Sequence, residues 1–118
     1  MSLGYHMLID FYECDKNKIS DIKKVEEILI STAKELNATI ISSNFNNFYP
    51  YGVSGVLIIA ESHFTIHTWV DEKMCAIDLF VCDPKIDLKK GAKILKEKFE
   101  AKREDIKLFH RLPLKEAI

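Results

Sequence analysis

In the stretch from 62 to 82, SHFTIHTWVDEKMCAIDLFVC, polar His63, Thr65 and His67 alternate with apolar Phe64 and Ile66, and a mostly apolar run, MCAIDLFVC, follows a short polar break. Successive side chains of a strand point to opposite faces, so the pattern predicts an antiparallel hairpin with one buried and one open face. A turn centred between Asp71 and Glu72 pairs Trp69 with Met74, His67 with Ala76, Thr65 with Asp78, His63 with Phe80 and Glu61 with Cys82. Ser62, Phe64 and Ile66 then share a face with Cys75, Ile77, Leu79 and Val81, apolar enough to lie against helices. His63, Thr65, His67 and Trp69 share the other with Met74, Ala76, Asp78, Phe80 and Cys82. A slip of one residue would exchange the faces of one strand relative to the other.

The flanking sequence supplies the rest of a sheet and its cover. Residues 5–12, 38–48, 53–61 and 105–110 read as further strands, and the tail beyond them as loose. The third, VSGVLIIAE, is apolar on both faces, as a strand covered on two sides would be. Residues 21–36 carry an apolar stripe of Ile22, Val25, Ile28, Leu29, Ala33 and Leu36 behind Ser20 as a cap. Residues 87–99 carry a second, with Leu88, Ala92, Leu95 and Phe99. YPYG at 49–52 marks a turn and Pro84 a strand end. The order β-α-β-β-β-β-α-β predicts an α+β two-layer sandwich, one domain with two helices on one face of a mostly antiparallel sheet. The other face needs a cover, and a partner subunit is the simplest one.

At 118 residues the chain has little mass to wall in a large substrate, which makes a site at a subunit interface a natural expectation. Seventeen basic residues balance eighteen acidic ones, so charge lends a nucleic-acid role no support. Cys14, Cys75 and Cys82 are an odd number with no close pair in sequence, which argues against a disulfide scaffold, and the absence of C-x-x-C against a zinc knuckle. The opening MSLGYHMLIDFYECD lacks a basic region before a signal core, and no apolar run approaches a membrane span. A cytoplasmic protein without membrane attachment is the expectation.

The open hairpin face gathers reactive groups, yet each has a plain reading. His63 and His67 could be packed and hydrogen-bonded, Cys82 an inert thiol, and Trp69 and Phe80 interface aromatics. His63, His67 and Cys82 do not have a recognised metal-ligand spacing, so no metal is expected. Glu26, Glu27 and the lysine-rich 89–98 segment read as solvated helix faces, and His6 and His110 carry little signal.

YGVSGVLIIAESHFTIHTW at 51–69 resembles the short prokaryotic form of the pyruvoyl-dependent S-adenosylmethionine decarboxylases. SLG at 2–4, FYECD at 11–15, ATI at 38–40, YPYGVSG at 49–55 and AIDLFVCD at 76–83 extend the likeness over most of the chain, and the C-terminal third departs more freely. The resemblance implies a proenzyme that cuts itself between Glu61 and Ser62 into a β chain, 1–61, and an α chain, 62–118. The Ser62 hydroxyl would attack the preceding carbonyl, the resulting ester would eliminate, and the dehydroalanine left behind would hydrolyse to a pyruvoyl group. His67 matches the base of that processing, and Ser54 the residue assisting at the scissile carbonyl.

The resemblance further implies that the pyruvoyl cofactor forms a Schiff base with the substrate amine, loses carbon dioxide and is protonated on carbon by Cys82. The product would be the aminopropyl donor of spermidine and other polyamine biosynthesis. Trp69, Phe48 and Tyr51 are candidates to bind the sulfonium nucleoside, with Leu3, His6, Asp10 and Glu13 as further contacts from the first strand. Glu61 would become the new chain end beside the substrate. A homodimer of proenzymes, (αβ)2 after cleavage, would carry two sites. The parity of an ideal strand turns Ser62 away from His67, so a bulge or bend is expected at the junction. Two other readings are a pyruvoyl-dependent arginine decarboxylase of the same family and a homologue that never matures. The joint presence of Ser54, Glu61, Ser62, His67 and Cys82 argues against the second.

Overall fold

The computed structural model describes residues 1–114. In chain order these form β1 (Ser2–Tyr12), α1 (Lys16–Ser20), α2 (Ile22–Glu35), β2 (Ile40–Asn47), β3 (Val53–Ile59), β4 (Ser62–Trp69), β5 (Met74–Val81), α3 (Leu88–Lys98) and β6 (Arg103–Pro113). The strands make one sheet in the order β2-β3-β4-β5-β1-β6, and every pairing is antiparallel. The expected α+β sandwich is the observed one.

The period-two pattern explains the layers. Phe64 and Ile66 of β4 and Cys75, Ile77, Leu79 and Val81 of β5 are buried, together with Met7, Ile9 and Phe11 of β1. Val25, Leu29 and Ala33 of α2 and Leu88, Ala92 and Leu95 of α3 close the same core. The β4–β5 register pairs Trp69 with Met74, His67 with Ala76, Thr65 with Asp78 and His63 with Phe80, as expected for a turn centred between Asp71 and Glu72.

Four features differ from expectation. Asp21, not Ser20, caps α2, its carboxylate accepting from Lys23 N at 2.9 Å. Ser20 instead ends α1, a single turn capped by Asp15 and too short to leave a periodic stripe in the sequence. β3 is covered on one face only: Leu57 and Ile59 are buried while Ile58 is 40% exposed. β6 is longer than 105–110, because it pairs with β1 from Tyr12–Arg103 to Ser2–Pro113, so 111–113 belong to the sheet rather than to a loose tail. The rest of that tail, 115–118, lies outside the described residues.

Candidate active site at the open sheet face

Ala60 and Glu61 form the two-residue turn between β3 and β4, with Ile59 paired to Ser62. Thr39 anchors this turn. Its backbone N–H and its hydroxyl donate to the Glu61 carboxylate at 3.0 and 3.1 Å, and its carbonyl accepts from Ala60 N at 2.8 Å. Thr39 was not singled out from the sequence, since a β-branched residue near a strand start carries no chemical signal.

Ser62 leaves the turn with φ of 144°, a conformation that costs a non-glycine residue roughly 1–3 kcal/mol. The carbonyl of Glu61, the one the Ser62 hydroxyl would attack, accepts from the Cys82 backbone N–H at 2.8 Å. A fixed amide donor on that oxygen is suited to stabilising negative charge during addition. The expected Glu61–Cys82 pairing is therefore present, and the Cys82 side chain is exposed at the same end of the sheet. A Cβ on neighbouring Gly4 would fall 2.6 Å from Phe80 Cε1, so glycine there lets the Phe80 ring lie close over β1.

Ser54 and His67 meet elsewhere. They face each other across β3 and β4, and Ser54 Oγ lies 2.7 Å from His67 Nδ1. The contact holds one ring nitrogen and leaves Nε2 for proton transfer. The Trp69 ring lies 6.3 Å from the imidazole, centroid to centroid, and is half-exposed. Tyr51, whose hydroxyl donates to Asp71, and exposed Phe48 flank the same end. The acceptor Asp71 holds the Tyr51 phenol proton above its ordinary range.

No bulge interrupts β4, which pairs with β3 from Ser62 to His67 and with β5 from Ser62 to Trp69; the irregularity at the junction is the positive φ of Ser62. Five strand steps of about 3.4 Å separate Ser62 from His67, roughly 17 Å, and the parity stays opposite. Within one chain the structure brings Glu61, Ser62 and Cys82 together at one end of the sheet, and Ser54, His67 and Trp69 at the other.

Between the two ends lies a cluster from β1, β4, β5 and β6. The Phe80 ring sits between His6 and His63, at 5.1 and 5.5 Å between centroids. Arg111 Nη1 donates to His6 Nδ1 at 3.1 Å, which puts the ring proton of neutral His6 on Nε2. That nitrogen is buried without a hydrogen-bond partner, 3.7 Å from Asp78. Burial, and after it His6, holds the His63 imidazole below its ordinary value, with Asp78 opposing. Glu13 lies apart, paired to Arg103 at 2.9 Å, which lowers its carboxyl value. Leu3 and Asp10 are exposed on β1. Among the described residues no group of three or more His, Cys, Asp or Glu side chains is gathered as a metal site. Nor is any helix there long and apolar enough to cross a membrane.

The S-adenosylmethionine decarboxylase family model matches residues 5–112. The chain is 47% identical over 102 residues to the S-adenosylmethionine decarboxylase proenzyme of Thermotoga petrophila, covering 86% of this chain and 78% of that one. The proenzyme of the same name from Thermodesulfovibrio yellowstonii is 46% identical over 101 residues, covering 86% and 75%. The crystal structure of the adenosylmethionine decarboxylase from Aquifex aeolicus VF5 superposes with a TM-score of 0.91 at 32% identity, covering 99% of this chain and 97% of that one.

Proposed function

The chain belongs to the S-adenosylmethionine decarboxylase family, and on that premise we propose how its residues carry out the reaction. It is an adenosylmethionine decarboxylase made as a proenzyme, converting S-adenosylmethionine to the decarboxylated aminopropyl donor of polyamine biosynthesis. The arginine alternative is not favoured, since the matched relatives carry the S-adenosylmethionine name.

The residue assignment rests chiefly on the Glu61–Ser62 junction. The strained Ser62 backbone and the amide donor on the Glu61 carbonyl favour addition of the Ser62 hydroxyl to that carbonyl and transfer of the acyl group from nitrogen to oxygen. A base then removes the Ser62 α-proton, the ester breaks with Glu61 leaving as a chain-terminal α-carboxylate, and water converts the dehydroalanine left behind to a pyruvoyl group with loss of ammonia, so that β and α chains of residues 1–61 and 62–118 remain in one domain. Thr39 holds the turn in the geometry this needs.

The family works with a pyruvoyl group, and Ser62 fits as its origin: it stands at the head of β4, half-buried, beside the Cys82 end of β5. Such a group supplies a carbonyl that takes up the substrate amine and a sink for the electron pair left when carbon dioxide departs. Cys82 delivers a proton to the substrate carbon. Trp69, with Phe48 and Tyr51, offers exposed aromatic faces to a cationic nucleoside.

The base for Ser62 comes from a second copy. His67 stands roughly 17 Å away along its own strand, so the Ser54–His67 pair of one protomer serves the Ser62–Cys82 end of the other. A two-fold dimer formed through the open faces lays each end over its opposite and yields two complete sites, an (αβ)2 assembly. Exposed Ile58, Trp69, Met74 and Phe109 support that face as the interface. Three free thiols fit a reducing, cytoplasmic setting. Carboxyl-labelled S-adenosylmethionine and arginine, each incubated with the processed protein, test the substrate. Carbon dioxide should come from the first alone, and release from arginine alone would overturn the assignment.

A further inference from the structure

Cys14 and Cys75 lie 61 positions apart in sequence, yet their sulfurs are 4.0 Å apart in the core. They are 3% and 2% exposed. Cys14 follows the end of β1, where Glu13 takes φ of 55°, and its N–H donates to the Lys73 carbonyl at 3.0 Å. Cys75 stands on β5, paired with Phe11 of β1 on one side and Thr68 of β4 on the other. Cys75 is thus held within the sheet, and Cys14 is tied by its backbone N–H to the β4–β5 turn. A disulfide needs a sulfur separation of about 2.05 Å, so the two must close by roughly 2 Å. Cys82 cannot compete within the chain: it is seven strand steps from Cys75, about 23 Å, and on the opposite face. The mechanism uses neither Cys14 nor Cys75.

We propose that Cys14 and Cys75 form a disulfide when the protein meets a peroxide, and that this bond ties the β chain to the α chain. The tie between chains rests on the cleavage proposed above; the bond itself does not. The Cys14 thiol is the more acidic, held down by its contact with the Cys75 sulfur, while that contact with Cys14 and then burial push the Cys75 thiol up. The Cys14 thiolate attacks one oxygen of hydrogen peroxide, giving a sulfenic acid and hydroxide, which takes up the proton Cys14 had lost. The Cys75 sulfur attacks the sulfenic sulfur, and the hydroxyl leaves with the Cys75 proton as a second water. Two thiols and one peroxide become one disulfide and two waters. Cleavage otherwise leaves the chains joined only by the shared sheet and core, so this crosslink would keep them together when the fold opens.

The test is a peptide map of purified protein exposed to hydrogen peroxide, then unfolded and alkylated without reductant. The expected product is a Cys14 peptide joined to a Cys75 peptide. On a denaturing gel without reductant, cleaved protein should run as one species near 13.6 kDa and part into two on reduction. Cys82→Ser should keep the crosslink, and Cys14→Ser or Cys75→Ser should remove it. Recovery of both peptides alkylated or over-oxidised in the wild type, or joined only to Cys82 of another molecule, would overturn the proposal. The linked peptides found in an uncleaved chain would uphold the disulfide and count against the cleavage alone.

Discussion

The proposed roles divide two reactions between single side chains. Ser62→Ala removes the hydroxyl proposed to begin cleavage, so intact chain and no decarboxylation are expected together. Cys82→Ala leaves the backbone N–H on the Glu61 carbonyl in place. Cleavage should therefore proceed while turnover falls roughly 10²–10⁴-fold, the range of a lost general acid; equal loss of both would refute the separate role. His63 makes a prediction about stability. Its folded value is lowered, mainly by burial, from an ordinary 6.5. The unfolded chain therefore takes up a proton first as pH falls, and stability present above that range is lost through it. Melting temperature should drop as pH falls through and below 6.5, and less steeply in His63→Gln. Chemistry at this scale was legible only through resemblance. Nothing in the spacing of Ser54 and His67 announces that their side chains meet, and Thr39 acts through backbone and hydroxyl contacts that leave no motif.

The elements were more legible, because hydrophobic period is a strong signal wherever one face is buried. The β4–β5 register is the one a turn centred between Asp71 and Glu72 gives, and alternation adds the parity, since a slip of one would bury His63 and expose Phe64. β3 misled: Val56 and Ile58 are as apolar as a two-sided core requires, yet that face is open in one chain. α1 escaped because one turn has no period. Gly55 shows what holds the β2–β3 pair together. A Cβ there would lie 2.0 Å from Phe45 Cδ2, so the ring of Phe45 occupies the space the glycine leaves across the ladder. Gly55→Ala must push that ring off the sheet, and chemical denaturation should register a loss of about 1–3 kcal/mol.

At the scale of the whole molecule, the proposed dimer accounts for the distance between the reactive groups. In that proposal one chain carries two half-sites at opposite ends of a sheet face, and a two-fold axis joins unlike halves. Co-expression of Ser62→Ala with His67→Ala proenzymes separates this from a site within one chain. Each variant alone should be inactive, and mixed dimers should recover about a quarter of the wild-type rate, one sound site in half of the dimers. No recovery would place both halves in one protomer. The arrangement in turn rests on the Glu61–Ser62 junction being a bond built to break. Intact mass of the purified wild-type protein measures that directly. The account predicts two chains of 61 and 57 residues, the second beginning with a pyruvoyl group in place of Ser62. A single chain of 13.6 kDa after prolonged incubation would contradict it.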